Sequence, residues 1–142
     1  DKIRGIWPSP RNPKGFEKQM MIWRQLMNKG TRIIFVCRHE GRYLGEAALI
    51  FDNGDPDYTI QGRRICLSEM TVHKEERNKG IGAALIDHVC AYAADRGYAE
   101  MSLGVDLDNV PARHLYTKMG FTHVIREDED EGGKYVKLLK VL

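Results

Sequence analysis

The strongest restriction on the fold comes from a polar, glycine-bearing loop in the middle of the chain. The segment Arg64–Val72 before the loop is rich in apolar residues and predicts a strand. The loop contains Gly80 and Gly82, and Ile81–Tyr92 then places apolar residues at helical spacing. A helix start has unpaired backbone N–H groups and partial positive charge, and glycine lets the backbone approach an anion closely. The pattern therefore predicts a binding site for phosphate or pyrophosphate.

Three phosphate-binding patterns use such a loop, and two of them do not match. The P-loop string G-x-x-x-x-G-K-[ST] does not occur in the sequence, which excludes nucleoside triphosphate hydrolysis of that class. A dinucleotide fingerprint requires a third glycine, and Leu85 stands in its place. The third pattern, [QR]-x-x-G-x-[GA], is matched by Arg77-x-x-Gly80-x-Gly82 between a predicted strand and a predicted helix.

Length and composition indicate an ordinary globular protein. A chain of 142 residues is long enough to bury one sizeable core. Its composition, with 42% hydrophobic and 30% charged residues, argues against intrinsic disorder. We therefore expect a single domain over residues 1–142. A net charge of +2 is too small to indicate nucleic-acid binding, and no apolar run approaches the ~20 residues of a membrane helix. We expect neither nucleic acid nor membrane as a partner.

The cysteines, the histidines and the first residue bear on the setting of the protein. Cys37, Cys66 and Cys90 stand in apolar surroundings without a C-x-x-C pair, so we expect reduced core residues and a cytoplasmic location. No two histidines have the spacing of metal ligands, and we expect no metal. Because the chain begins at Asp1 rather than Met, we expect residues upstream or a longer parent chain.

The predicted order of elements is helix, hairpin, strand, helix, strand, helix, hairpin. Prolines in the first fifteen residues predict an irregular start, and apolar residues at helical spacing predict a first helix over Phe16–Asn28. Strands are predicted at Thr31–Arg38, Tyr43–Phe51, Arg64–Val72, Tyr98–Val105, Phe121–Arg126 and Tyr135–Leu142. The acidic run Glu127–Glu131 is predicted to be the loop of the last hairpin. This alternation favours an α+β fold with a mixed, mostly antiparallel central sheet flanked by helices.

A second motif follows the first, separated from it by one helix and one strand. It reads N-x-x-A-x-x-L-Y-x-K-x-G-F from Asn109 to Phe121. With both motifs in this order, the segment from Arg64 to Phe121 resembles the GCN5-related N-acetyltransferase (GNAT) superfamily. The resemblance implies a sheet splayed between the strands Arg64–Val72 and Tyr98–Val105. The family's first strand is not recognised upstream of the predicted first helix.

The resemblance further implies acetyl-CoA as the acetyl donor, a primary amine as the acceptor, and a set of coenzyme contacts. Mainly through backbone amides, the loop would hold the pyrophosphate with Arg77, Asn78, Lys79, Gly80, Ile81, Gly82 and Ala83. Met70 and Val72 would pair their backbones with the pantetheine arm. Asn109, Tyr116 and Lys118 would contact the coenzyme from the following helix, with Tyr116 near the thioester sulfur.

The chemistry of such a transfer makes further demands on the residues. An amine that attacks a thioester must first lose a proton, so a base is needed. Glu69 is our first candidate because it interrupts an apolar strand just before the loop, and Glu46 and water are the alternatives. A strand N–H near Met70–Val72 would stabilise the oxyanion. The Tyr116 hydroxyl would protonate the leaving thiolate as general acid.

We therefore predict an N-acetyltransferase that moves an acetyl group from acetyl-CoA to a small cationic amine by direct attack. The cationic acceptor is inferred from the acidic run Glu127–Glu131, because carboxylates raise the local concentration of cations. We expect a monomer or homodimer. Two alternatives stay open, namely a non-catalytic acyl-CoA-binding regulatory module and an acetyltransferase that acts on a protein amine.

Overall fold

The computed structural model describes the backbone of residues 2–6, 20–28 and 32–142, and the side chains of residues 32–142. Its strands are β1 (Lys2–Ile6), β2 (Met20–Asn28), β3 (Arg32–His39), β4 (Arg42–Ile50), β5 (Arg64–Val72), β6 (Glu100–Asp106), β7 (His123–Asp130) and β8 (Gly133–Val141). The helices are α1 (Ile81–Asp95) and α2 (Val110–Lys118), and a 3-10 turn spans Lys74–Glu76. None of the described helices is long and apolar enough to cross a membrane.

The described chain forms two compact units, and strand β5 and helix α1 contribute to both. The first unit comprises Asp1–Leu49 and Glu69–Val89, and the second comprises Ile50–Ser68 and Cys90–Leu142. The strand order is β1-β2-β3-β4-β5 in the first unit and β5-β6-β8-β7 in the second. The pairs β1–β2, β2–β3, β6–β8 and β7–β8 are antiparallel, and β5–β6 is parallel. The predicted α+β class with a mostly antiparallel sheet is confirmed.

The first unit is built on the hairpin of β3 and β4 and on the first part of α1. The turn residues Glu40 and Gly41 have φ angles of 50° and 79°, which fit the two-residue turn whose twist matches that of the flanking strands. The buried apolar side chains of this unit are Ile33, Phe35, Val36, Cys37, Leu44, Ala47, Ala48, Leu49, Ile81, Ala83, Ala84, Leu85, Ile86 and Val89. The core of the unit therefore includes the first turns of the helix that follows the glycine-bearing loop.

The second unit places β6 between β5 and β8. Strands β5 and β6 pair from Arg64–Glu100 to Cys66–Ser102, which takes in only the first three residues of each strand. Pairing over so few residues is what the predicted splay between the two strands requires. The buried apolar side chains are Ile65, Cys66, Leu67, Ala93, Met101, Leu103, Val105, Met119, Phe121, Val136 and Leu138.

The loop between β4 and β5 is part of the second unit and is held in it by partly buried polar contacts. The Lys137 ammonium lies 3.3 Å from Asp55 Oδ2 and 3.0 Å from Asp57 Oδ2, and its side chain is only 5% exposed. The Arg64 guanidinium donates to the Asp57 carbonyl at 3.0 Å, and Ser102 Oγ donates to the Tyr58 carbonyl at 2.6 Å. These bonds satisfy polar groups that would otherwise be buried without partners.

The predictions for the first part of the chain are wrong where the structure describes it. Residues 20–28, predicted as part of a helix, form strand β2, which pairs with β3 from Ile22–Arg38 to Asn28–Arg32. A strand also stands at Lys2–Ile6, where an irregular start was predicted and no strand was recognised. Continuous strand pairing satisfies the backbone of Met20–Asn28, and its nearly continuous apolar residues fit a strand as well as a helix. Residues 7–19 of these predictions lie outside the described part.

The prediction of an acidic loop is also wrong. Glu127–Asp130 belong to strand β7, whose register with β8 continues to Asp130–Gly133, and only Glu131 lies beyond the strand. β7 is the outer strand of the second unit's order, and its acidic side chains are exposed. Carboxylates have low strand propensity, but an exposed outer strand tolerates them because they stay hydrated.

Candidate active site

The loop between β5 and α1 has the backbone geometry of an anion-binding segment. Asn78 and Gly80 both adopt left-handed conformations, with φ angles of 64° and 81°. The Gly80 carbonyl accepts the first helical hydrogen bond from the Ala84 N–H at 3.0 Å, so the preceding N–H groups of Ile81, Gly82 and Ala83 belong to the open end of the helix. Left-handed residues in such a turn direct successive N–H groups toward one concavity.

The charges at the start of α1 favour an anion. The first turn of the helix contains no acidic residue, so no carboxylate of that turn offsets the positive end of the helix dipole. Arg77 Nε donates to the Val72 carbonyl at 3.4 Å and so ties the loop back to the end of β5. The Lys79 side chain is 56% exposed, which leaves its ammonium at the surface of the loop.

A buried carboxylate, Glu76, lies directly before the loop. Its side chain is only 4% exposed, and its Oε1 lies 3.4 Å from Lys79 Nζ and 3.5 Å from Arg42 NH2. A buried carboxylate is costly unless it is paired, so these two cations hold it in place. Neither Glu76 nor Arg42 was predicted as a site residue, since a glutamate within a run of charges resembles an ordinary solvated turn.

Strand β4 supports the end of β5 without an intervening side chain. A Cβ atom on Gly45 would lie 2.6 Å from the Thr71 carbonyl oxygen and 3.2 Å from Val72 Cα. The His73 N–H donates to the Leu44 carbonyl at 2.8 Å. Only glycine permits this close approach, and it fixes the backbone at the predicted pantetheine-pairing residues. No motif in the sequence pointed to Gly45.

Glu69, the first candidate for the base, has a strained backbone. Its φ angle is 51°, a left-handed conformation that is unusual for a non-glycine residue within a strand and is typical of a bulge. Its carboxylate is 45% exposed and accepts a hydrogen bond from Arg32 NH2 at 2.7 Å. Backbone strain of this kind concentrates at functional sites.

Glu46, the second candidate for the base, lies half-buried in β4. Its Oε1 accepts a hydrogen bond from the Tyr43 hydroxyl at 3.0 Å. Burial, followed by the hydrogen bond to Glu46, raises the pKa of Tyr43 to about 12, so the phenol keeps its proton. One oxygen of Glu46 is therefore engaged by a neutral donor, whereas Glu69 is engaged by a cation.

The second unit contains the predicted coenzyme contacts of α2. The Asn109 side-chain oxygen caps this helix by accepting the Ala112 N–H at 3.3 Å. Tyr116 is half-buried, and its ring packs edge-on against Phe121 with centroids 6.0 Å apart. Burial raises the pKa of Tyr116 above its ordinary value, so its phenol is protonated at neutral pH.

Lys118 lines a surface pocket along α2. The pocket has a volume of about 440 Å³, and its lining residues are Val110, Arg113, His114, Thr117 and Lys118. The Arg113 guanidinium donates to the Leu107 carbonyl at 3.0 Å, which ties α2 to the segment before it. The pocket therefore offers cationic groups together with an apolar side chain.

The structure thus distributes the predicted site residues between the two units. The first contains Glu69, Met70, Val72 and the loop 77–83, and the second contains Asn109, Tyr116 and Lys118. Cys37 and Cys66 are buried and form no disulfide, and burial raises the pKa of their thiols to about 12 and about 11. Cys90 also forms no disulfide and is only partly buried. Over the residues whose side chains are described, no group of three His, Cys, Asp or Glu residues could hold a metal ion.

Comparison with known proteins connects this geometry to a family. The sequence is 38% identical to an uncharacterized N-acetyltransferase of Mycobacterium bovis over 90 residues. The aligned part covers 63% of this chain and 53% of the relative. It is 36% identical to the streptothricin acetyltransferase of Streptomyces lavendulae over 64 residues. That alignment covers 45% of this chain and 34% of the relative. The chain therefore spans about half the length, or less, of these curated relatives.

The fold has a counterpart among solved structures. A GNAT family acetyltransferase from Elizabethkingia anophelis with acetyl-CoA bound is similar, with a TM-score of 0.63 at 17% identity. The match covers 79% of this chain and 77% of that one. Residues 2–121 of the sequence match the model of the Acetyltransferase (GNAT) family. Since this match takes in most of the chain, the protein belongs to the GNAT family of acetyltransferases.

Proposed function

We propose that this chain is an acetyl-CoA-dependent N-acetyltransferase whose acceptor is a small cationic amine. The observation that carries the proposal is the loop before α1. Its left-handed Asn78 and Gly80 lead into a helix start that has no acidic residue in its first turn. Such a loop fits a pyrophosphate, the most highly charged part of the coenzyme's backbone. Membership of the acetyltransferase family supports the same donor.

In the proposed reaction the amine nitrogen forms a bond to the acetyl carbon as the carbon–sulfur bond breaks. Glu69 accepts the proton that the ammonium loses, and backbone N–H groups at the end of β5 stabilise the oxyanion. Tyr116 gives its proton to the departing thiolate. The second proton that the nitrogen loses returns to Tyr116 through solvent, which leaves a neutral amide and the coenzyme A thiol. No cysteine nucleophile is required, and the raised pKa values of Cys37 and Cys66 keep these thiols protonated.

The proposed acceptor class follows from charge and is supported by a relative. Strand β7 carries four consecutive exposed carboxylates from Glu127 to Asp130, which alternate between the two faces of the strand. Such a cluster attracts cations and does so less well at high salt. A relative is named for streptothricin, which supports a small-molecule acceptor. None of the three cysteines forms a disulfide, which supports the cytoplasm as the place of reaction.

The test is a direct search for product. Purified protein is incubated with acetyl-CoA and a panel of polyamines, aminosugars, amino acids and a lysine peptide, and products are identified by mass spectrometry. We expect an N-acetylated cationic amine and one equivalent of free coenzyme A thiol. Coenzyme binding without any product would instead indicate a regulatory module, and acetylation of the peptide alone would indicate a protein acceptor.

We expect Gly82→Val to weaken acetyl-CoA binding at least about 10-fold, because a branched side chain in the first turn of α1 would occupy space needed by the phosphate. Titration calorimetry measures the affinity, and circular dichroism confirms that the variant is folded. The matched control is Ala91→Val, in the fourth turn of the same helix, where the side chain is exposed. Unchanged affinity in folded Gly82→Val would contradict the phosphate assignment.

We expect Glu127→Gln/Glu129→Gln to raise the KM for a cationic amine about 3- to 10-fold, because two of the attracting charges are removed. The KM for acetyl-CoA should change much less. The control Glu40→Gln/Asp95→Asn removes the same number of exposed charges outside β7. Steady-state kinetics at low and high salt measure both constants. An equal KM for the amine in both variants would count against the acidic strand.

A further inference from the structure

The contact between Arg32 and Glu69 combines two unfavourable features. Glu69 holds a left-handed backbone conformation, with φ of 51°, in the middle of strand β5. Arg32 Nε is buried and has no hydrogen-bond partner among the residues that the structure describes. The Arg32 NH2 group nevertheless donates to Glu69 Oε2 at 2.7 Å. Backbone strain and a buried N–H that has no partner within the described part of the chain therefore meet at one short charged contact.

Stability does not explain why the chain keeps this contact. The Glu69 side chain is 45% exposed and the Arg32 side chain 29% exposed, and ion pairs with this much access to water contribute little to folding. If the backbone at position 69 had the extended conformation of an ordinary strand residue, this strain would be absent. Local costs without a matching gain in stability are expected where function selects the geometry.

The contact restricts the carboxylate in a way that suits proton transfer. A glutamate side chain has three rotatable bonds, and a short hydrogen bond from a guanidinium on the neighbouring part of the fold limits the positions it can take. The guanidinium stays protonated and cannot itself act as a base, so its contribution is to hold the carboxylate. The hydrogen bond from Arg32 engages Oε2 of Glu69, one of the two carboxylate oxygens.

We propose that Arg32 is a positioning residue that holds Glu69 in place to accept the proton of the amine. The proposal rests on the proposed acetyltransferase function. In this reaction step the acceptor's N–H bond breaks and its proton passes to the Glu69 carboxylate, while the nitrogen electron pair attacks the acetyl carbon. Arg32 loses and gains no proton, and its role ends at the orientation of Glu69.

The test compares Arg32→Gln, Arg32→Lys, Glu69→Gln and the double variant Arg32→Gln/Glu69→Gln under conditions where chemistry limits the rate. We expect Arg32→Gln to lower kcat about 10-fold, since a displaced catalytic group loses rate without losing substrate binding. The KM for acetyl-CoA should stay within about 2-fold of wild type. Arg32→Lys should recover most of the rate, because an ammonium can still donate to the carboxylate.

The double variant separates positioning from a structural role. If Arg32 acts through Glu69, the double variant should be no slower than Glu69→Gln alone. The control Arg63→Gln removes a different guanidinium, which is exposed and lies 3.4 Å from Glu100. This control should leave kcat unchanged. Thermal melting of each variant confirms the folded state, and Arg32→Lys keeps the test valid if Arg32→Gln is unstable.

The outcomes distinguish the two proposals. A wild-type rate in Arg32→Gln, or multiplied losses in the double variant, overturns the role of Arg32 and leaves the acetyltransferase function intact. A wild-type rate in Glu69→Gln also overturns it, since Glu69 would then not be the base. Absence of any acetylated amine with the wild-type protein overturns both proposals.

Discussion

The variant Tyr116→Phe is expected to lower kcat about 100-fold, which corresponds to about 2.7 kcal/mol of activation free energy. Burial raises the pKa of the Tyr116 phenol, so the group enters the reaction protonated and can give its proton to the leaving thiolate. Loss of a general acid commonly costs about 10²- to 10⁴-fold in rate. We expect the lower end because a thiolate leaves tolerably well without a proton.

The effect should appear in the chemical step and not in folding or coenzyme binding. Phenylalanine keeps the edge-on contact with Phe121, so the melting temperature should change little. Affinity for acetyl-CoA should also change little, since the proton is needed at the transition state. The matched control is Tyr98→Phe, whose half-buried ring lies 6.3 Å from Phe51. A wild-type single-turnover rate for Tyr116→Phe would mean that water supplies the proton.

The parts of the fold that sequence predicted well are those with local signals. Strand β5 was predicted over Arg64–Val72 and is found over the same residues. The helix after the glycine-bearing loop was predicted from its helical periodicity and is found at Ile81–Asp95. Each of these signals acts between residues only a few positions apart, so a single sequence contains all the information needed.

The errors occurred where local signals were ambiguous. The apolar residues of Met20–Asn28 fit helical spacing, but they also form a nearly continuous run that fits a strand. The segment forms a strand because its backbone pairs with β3. The acidic residues of Glu127–Asp130 indicated a loop, but the register with β8 extends through them. In both segments, hydrogen bonds to a neighbouring strand outweighed the composition of the segment itself.

The supporting residues of the site were invisible for a different reason. Arg32 contacts Glu69 across 37 positions of sequence, and Arg42 contacts Glu76 across 34. No local pattern marks such a pair, because either residue alone is an ordinary surface charge. Motifs therefore pointed to the groups proposed to meet the substrates, while the residues that hold some of these groups became visible only in the fold.

The variant Lys137→Met is expected to lower the free energy of unfolding by about 2 kcal/mol. Burial alone would lower the pKa of this ammonium, but hydrogen bonds to Asp57 and Asp55 outweigh burial and raise it. Methionine keeps an apolar stem in the site but removes the buried ammonium, so the two carboxylates retain only the exposed Arg126 guanidinium, 3.8 Å from Asp57 Oδ2. Removing one partner of a fully buried pair costs about 3–5 kcal/mol, and the partial exposure of Asp55 and Asp57, 41% and 28%, reduces that figure.

Urea denaturation at neutral pH measures this loss, with Lys134→Met as the matched control on the same strand. Lys134 is exposed, so its replacement should change the free energy of unfolding by less than about 0.5 kcal/mol. Adding Asp57→Asn to Lys137→Met removes one of the two repelling charges and should recover part of the stability. Equal stability of Lys137→Met and Lys134→Met would show that water and Arg126, and not Lys137, compensate the two carboxylates. The loop between β4 and β5 would then be held by Arg64 and Ser102, whose bonds to its backbone carbonyls do not depend on either carboxylate.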